Sequence, residues 1–493
     1  MLVRRVGFCI LGVVFAWATA ARGASDSVLL LYTNDIHDHV RPGYDGIGGM
    51  AYIVEYINTT RASRADTLVL DAGDVMEKGD LVAFETQSRV VYEAMGRTQY
   101  DAGTLGNHDD AYGADHAKAC ADLAHMALLC ANYVDANGAP VFEPSRMFDV
   151  DGVRVGVIGL AVPKGAESCL DMEASARIVA AEADRLDQDA HLIVVLCHMG
   201  SADCRRMSPL VPTVDVFVSG HTHEAIREPI VVDGTGALIV QAGQYACYVG
   251  RLELRVDLET EAVTRVDGRL VEMRHGEAPC DEATAAWIAA REREVCPEAT
   301  RIVGHADKAL GFGDIGCLSA EALRLKVGAD VAFCHPGQII RSQLPQGNID
   351  VNALFLTGGQ RGHDLIESHL TGAAITTYLD GLMAFEKGPT EWAGFHARSK
   401  RVSPAAPRTY DTDLEADRVY RVVMPGREWE TRFLSVMEKY ARGNDARAAI
   451  AKTDWRAEPC AFSFIEALTE YIEALNRPID ARLKELVAAQ QLP

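Results

Sequence analysis

The sequence predicts an α/β fold: a layered domain of sheets and covering helices, followed by a smaller α/β or α+β unit. Two patterns predict the first domain. Short runs rich in Val, Ile and Leu end in polar or glycine residues, and stretches with helical periodicity lie between them. Length predicts the second, because 493 residues imply about two to four domains.

The runs at 28–32, 67–70, 153–160, 192–197 and 214–219 are apolar at nearly every position. Strands covered on both faces read this way, whereas half-exposed strands alternate. Helices are expected over 49–60, 84–95, 115–128 and 174–188. A strand near 237–241 follows, then a strand pair near 248–256 and 262–272. Residues 280–296 are rich in Ala, Glu and Arg and predict a connecting helix. The predicted organisation is a signal over 1–24, a first domain over 25–275, a linker helix over 276–299 and a second domain over 300–493. In the second domain, helices are expected at 317–326, 369–384 and 460–489, and strands around 330–334 and 419–424.

The composition, 48% hydrophobic and 24% charged, is that of an ordinary globular chain. A formal net charge of −22 repels polyanions and argues against a nucleic-acid polymer as partner. A small phosphorylated substrate needs only a local positive focus, such as metal ions and one or two arginines. The start reads as an export signal: Arg4 and Arg5, an apolar run over 6–20, then Ala21, Gly23 and Ala24. That run is short for a membrane span, and an uncleaved anchor is the alternative. A soluble protein exported to the periplasm or the medium is expected, with no span after signal removal. Of twelve cysteines, Cys9 lies in the signal and none of the others forms a CxxC pair, so a cysteine-based zinc knuckle has little support.

Five short segments carry the chemistry, and most stand where a predicted strand ends. They are Thr33-Asn34-Asp35-Ile36-His37, Asp71-Ala72-Gly73-Asp74, Gly106-Asn107-His108-Asp109, Cys197-His198-Met199-Gly200 and Gly220-His221-Thr222-His223. In an extended stretch, residues two apart share a face, so Asp35 and His37 are expected to bind one ion together. Gly73 allows a tight turn that exposes Asp74 at the sheet edge. Each segment alone is common; the five in this order are not. His39, His116, His191, His305, His363 and His396 carry no comparable pattern and read as solvated or core histidines.

In this order the segments resemble the calcineurin-like metallophosphoesterases, and within them the bacterial 5′-nucleotidase and UDP-sugar hydrolase group. The resemblance covers residues 28–245 and includes Val240-Gln241-Ala242-Gly243. It implies a sandwich of two sheets flanked by helices, and a site for two divalent metal ions. By the resemblance, Asp35, His37, Asp74 and His223 hold one ion, and Asp74, Asn107, His198 and His221 hold the other, with Asp74 bridging. A carboxylate between two cations about 3.5–4 Å apart is what two-metal phosphatases require. Mixed O and N ligands suit Zn, Mn, Fe or Co better than Ca or Mg. The implied reaction is attack on a phosphate ester by a hydroxide between the ions. His108 would stabilise the phosphoryl group or protonate the leaving oxygen, and Asp109 would orient its ring.

The second half resembles the C-terminal domain of the same nucleotidases. Cys334-His335-Pro336-Gly337-Gln338-Ile339-Ile340-Arg341 is similar to the family's N-x-G-G-I-R segment, and Gly394-Phe395 to its G-G-F. Arg341 would then bind substrate phosphate through its guanidinium fork, and Phe395 would stack on a nucleobase. Departures accompany this. His335 and Pro336 replace an Asn and a Gly of the family segment. Leu356-Thr357-Gly358-Gly359 stands where P-F-G-N is expected, and the stretch Gly311-Phe312-Gly313 lacks an expected Arg. The metal centre is kept while the base-reading residues are partly changed. The expected protein is an exported phosphoesterase acting on nucleotides or related small phosphoesters. The alternatives are a cyclic-nucleotide phosphodiesterase, a UDP-sugar hydrolase or a thiosulfohydrolase-like enzyme on the same metal centre. From a different class, the alternative is a non-catalytic ligand-binding protein.

Overall fold

The computed structural model describes residues 25–162, 169–359, 364–385, 387–400, 408–443 and 446–479. The predicted signal, His363 and the end of the last predicted helix lie outside them. The chain divides into two compact units, 1–295 and 296–493. Among the described residues, no helix is long and apolar enough to cross a membrane.

The strands of the first unit are β1 (Ser25–Thr33), β2 (Thr67–Asp71), β3 (Ala102–Gly103), β4 (Ala127–Leu128), β5 (Ser145–Val150), β6 (Val153–Leu160), β7 (Leu192–Cys197), β8 (Val216–Ser219), β9 (Ile230–Val231), β10 (Leu238–Val240), β11 (Tyr248–Asp257) and β12 (Ala262–Glu272). They build two six-stranded sheets, ordered β12-β11-β1-β2-β3-β4 and β5-β6-β7-β8-β10-β9.

Side-chain alternation explains the layers. In β7, Val194 and Leu196 join the core between the sheets with Val28, Leu30, Leu68 and Leu70. Ile193, Val195 and Cys197 point the other way, into a second core with Val179, Ala183 and Leu186 of the helix Met172–Leu186. Both faces are buried, so no polar residue interrupts 192–197. β1, β2 and β3 run parallel in one sheet, and β7 and β8 in the other. Their following loops therefore emerge at the carboxyl edges, where α/β folds place ligands.

Three expectations are corrected here. The helix expected over 84–95 is two helices, Leu81–Glu85 and Arg89–Gly96, because Gln87 and Ser88 take left-handed backbone angles (φ 51° and 64°). The helix expected over 115–128 ends at Leu123, and Ala127 and Leu128 pair with β3 instead. The helix Glu282–Val295, expected as a linker, packs within the first unit. Trp287 lies under the Arg97 guanidinium at 4.4 Å, and Glu292 accepts from Arg41 at 3.2 Å. Its buried positions Thr284, Ile288 and Glu292 recur every four residues, one stripe against the unit.

The second unit holds a five-stranded sheet in the order Glu391–Ala393, Val331–Cys334, Val419–Pro425, Leu365–Thr371 and Ala457–Pro459. The helix expected from 369 starts at Gly372, after Thr371 has ended the preceding strand and capped the helix by accepting from Ala374 N–H.

Candidate metal centre

β1 ends at Thr33, and the chain then turns through left-handed backbone. Asp35 has φ 51° and His37 φ 49°, so the two are not brought together by an extended strand as expected. Asp74 (57°), His221 (77°) and His223 (60°) share this conformation. Non-glycine residues held in sparse backbone regions cost about 1–3 kcal/mol each and persist where the surroundings fix them. Here Asp35 N–H donates to Gly73 O at 2.8 Å and His37 N–H to Asp74 O at 2.9 Å, locking the first loop to the second. Asn34 ties a third: its amide donates to Asp35 Oδ2 (2.6 Å) and Gly243 O (2.7 Å), and its oxygen accepts from Ala242 N–H (2.6 Å).

These loops gather two donor groups, Asp35, His37 and His223, and Asp74, His198 and His221. Within each group one donor atom per residue lies within 4.8 Å of the others. Asp74 stands between the groups. Its Oδ2 is 3.1 Å from His198 Nε2 and 3.6 Å from His37 Nε2. Its Oδ1 is taken by the His108 backbone N–H at 2.8 Å. The imidazoles are oriented from behind. His198 Nδ1 donates to Ala72 O at 2.7 Å and His37 Nδ1 to Met76 O at 3.2 Å, which leaves both Nε2 atoms facing inward.

The donor set fits divalent ions. The Nε2 atoms of His37 and His223 approach to 3.2 Å, and a cation reconciles two lone pairs that face each other. Asn107 Oδ1 is buried without a hydrogen-bond partner among the described residues, unusual for a buried polar atom. Asn107 is placed beside the second group, because Gly106 and His108 on either side of it both adjoin Asp74. A methyl group at Gly106 would overlap Asp74 Oδ1 and its backbone nitrogen. Gly106→Ala is therefore expected to weaken ion affinity at least about tenfold, as displaced supports of a ligand do, measured by titrating metal into stripped protein.

Charge supports the same reading. Burial holds His37 well below its ordinary value, so it is a neutral donor. At His198 burial opposes the charged form, but Asp74 and Asp35 outweigh it and raise the ring to about 10 in the metal-free protein. An ion must then displace a proton from His198 at neutral pH. We expect ion binding at pH 7 to release about one proton or more, and affinity to fall as pH is lowered. Calorimetry in buffers of different ionisation enthalpy measures the release.

Asp109 does not stand behind His108. It is 1% exposed, and its two oxygens accept four backbone N–H groups, from Asp74 (2.7 Å), Val75 (2.9 Å), Met76 (3.0 Å) and Gly106 (2.6 Å). It binds the second and third loops together. His108 Nδ1 instead meets Glu77 Oε2 at 2.7 Å. Sequence reading missed Asn34 and Glu77. Asn34 was within reach, adjoining Asp35 in the segment Thr33-Asn34-Asp35-Ile36-His37. Glu77 carries no local signal.

Arg341 and Phe395 belong to the second unit. Arg341 is half-buried, and its backbone N–H donates to Thr357 O at 2.9 Å. The turn before it explains one departure. Burial, with the Arg432 charge, lowers His335 to about 4. The neutral ring accepts from Gln338 N–H at 3.2 Å, which is how an Asn side chain closes a turn. Phe395 is buried in the sheet core, stacked on Trp392 (5.7 Å, 22°) and edge-on to Phe333 (6.1 Å). Its expected role as a base-stacking face is corrected to core packing. Phe395→Ala should destabilise the protein by about 3–5 kcal/mol in urea unfolding, without raising KM for a nucleotide above that for its base-free analogue.

The calcineurin-like phosphoesterase family matches residues 29–225. The endonuclease YhcR of Bacillus subtilis is 25% identical over 374 residues, covering 66% of this chain and 30% of that protein. The probable 5′-nucleotidase of Treponema pallidum is 26% identical over 289 residues, covering 50% of this chain and 48% of that protein. This chain thus spans about half or less of those two relatives. The crystal structure of a 5′-nucleotidase precursor from Thermus thermophilus shares the fold, with a TM-score of 0.71 and 24% identity over 92% of this chain and 97% of that one. Residues 29–225 thus match the calcineurin-like phosphoesterase family, and the two donor groups stand within that stretch.

Proposed function

We propose that this chain hydrolyses small phosphoesters, nucleotides among them, with one ion held by Asp35, His37, Asp74 and His223 and a second by Asp74, Asn107, His198 and His221. The observation that carries this reading is the Asp74 carboxylate lying between two histidine groups whose Nε2 atoms face inward. Two bound divalent ions would lower the pKa of water and offset charge on the phosphoryl oxygens. The protein groups do the rest. Asn34 and Asp109 hold the ligand loops in place. His108, edge-on to His37 at 5.2 Å and partly exposed, can give a proton to the leaving oxygen. In the second unit we assign phosphate binding to Arg341, on its match to the family's substrate-binding Arg and the fit of a guanidinium fork to phosphate.

The test is a panel of p-nitrophenyl phosphate, bis-p-nitrophenyl phosphate, AMP, UDP-glucose, 2′,3′-cyclic AMP, a thiosulfate ester and single-stranded DNA, each with added Mn or Zn and with chelator. Chelator-sensitive turnover of a small phosphoester supports the proposal. Turnover confined to the thiosulfate ester or DNA moves the substrate class. A metal-loaded sample that turns over nothing overturns it in favour of a binding protein. We also read residues 1–24 as an export signal, on the basic start and apolar run. Amino-terminal sequencing of protein from a periplasmic fraction tests that.

A further inference from the structure

We propose that Lys78 is a further substrate-binding residue, whose ammonium takes a charged phosphoryl oxygen beside the first donor group and favours dianionic phosphomonoesters over diesters. The proposal rests on the two-ion phosphoesterase reading above and narrows its substrate class. Lys78 Nζ stands 3.5 Å from His37 Nε2. That ring nitrogen is the one that meets His223 Nε2 at 3.2 Å and Asp35 Oδ1 at 3.8 Å. His37 is buried and Lys78 is partly exposed, so the ammonium adjoins the donor group and stays within reach of a ligand arriving from solvent.

The backbone holds Lys78 there. Glu77 and Lys78 follow one another in left-handed backbone (φ 65° and 73°), a costly pair for non-glycine residues. Both flanks of Lys78 are tied to Asp38, the residue after His37. Glu77 N–H donates to Asp38 Oδ2 at 2.7 Å, an oxygen that also accepts from Ser88 Oγ at 3.0 Å, and Asp80 N–H donates to Asp38 O at 3.0 Å. Asp38 is buried, and its own N–H donates to Val75 O at 2.7 Å. A methyl group at Gly79 would overlap the Asp38 carbonyl, so the chain passes too close there for any side chain. The corner is thus fixed on the neighbour of an ion ligand, and its lysine is carried to that ligand's ring. Charge gives the placement a consequence. An ammonium this near an ion ligand repels a bound cation, and an anion that touches both offsets the repulsion. Lysine meets phosphate as a point charge, which one oxygen can satisfy. A monoester dianion brings one charge more to that contact than a diester monoanion does.

The experiment compares full-length wild type, Lys78→Met and Lys78→Arg, loaded with Mn. Methionine keeps an unbranched stem at the strained position and removes the charge. Lys78→Met should lower kcat/KM for p-nitrophenyl phosphate about 10–100-fold, the range for a lost hydrogen bond to a charged group. For bis-p-nitrophenyl phosphate the loss should be at most about threefold, on the same ground of one charge fewer. Lys78→Arg should recover most of the monoester loss. Binding is read apart from turnover. Calorimetry of inorganic phosphate into the Mn-loaded protein should give a Kd about 10–100-fold weaker in Lys78→Met. Without phosphate, Mn should bind stripped Lys78→Met at least as tightly as wild type. Added phosphate should tighten Mn binding less in the variant than in wild type, because linked binding is reciprocal. Equal losses on the two esters, a wild type that prefers the diester, an unchanged phosphate Kd, or Mn affinity that falls in phosphate-free Lys78→Met would overturn the proposal. If wild type hydrolyses no phosphoester, the reading of the reaction fails instead, and the phosphate calorimetry still decides whether Lys78 takes the anion.

Discussion

Asp74→Asn should lower phosphoester turnover at least about a thousandfold while leaving the fold intact. The substitution keeps a side-chain oxygen to accept the His108 backbone N–H, so the loop retains its anchor. It removes the charge that faces both His198 Nε2 and His37 Nε2. Two cations held close together repel, and an anionic ligand between them offsets that repulsion. Losing several kcal/mol of charge stabilisation in the transition state corresponds to about a thousandfold or more. Metal analysis after desalting should find at most one ion per chain where wild type holds two. Loss of turnover with both ions retained would show that Asp74 is not the shared ligand. A collapse in thermal stability would show a structural role instead.

That site was legible in sequence because its five segments, each common alone, occur together in one order and mostly stand where strands end. Asp35, His37, Asp74, His198, His221 and His223 came from loops that follow apolar runs, and the strands themselves were legible because two-sided burial leaves an unbroken apolar stretch. The backbone that presents them was not legible. Glycine announces a left-handed turn, but at Asp35, His37, Asp74 and His221 the turn is held by hydrogen bonds between loops far apart in sequence. The same limit explains Asp109 and Glu77. A carboxylate adjacent to a histidine is visible in any sequence, whereas which carboxylate reaches the ring depends on a corner at 77–78 fixed by Asp38. Phe395 failed for a related reason. A glycine-phenylalanine pair reads alike whether the ring faces a ligand or Trp392. The helix Glu282–Val295 looked like a connector because its Ala, Glu and Arg content hides the single stripe that packs on the first unit.

His108→Ala should cut kcat at least about a hundredfold, the lower range for lost acid–base assistance, with both ions still bound. The prediction separates the backbone of His108 from its ring. The backbone N–H holds Asp74, and alanine preserves it. The ring reaches Glu77 on one side and the edge of His37 on the other, and a 19% exposed side chain leaves it open to a substrate. A ring used for leaving-group protonation should matter most where the leaving oxygen is basic. The loss should therefore be greater on AMP or phenyl phosphate than on p-nitrophenyl phosphate. A ring used only to steady the phosphoryl group would give equal losses on all three. Near-wild-type kcat with two ions bound would remove His108 from the reaction. Loss of metal together with activity would recast it as a support for Asn107, beside it in the chain, so ion content and leaving-group dependence must be read on the same preparation.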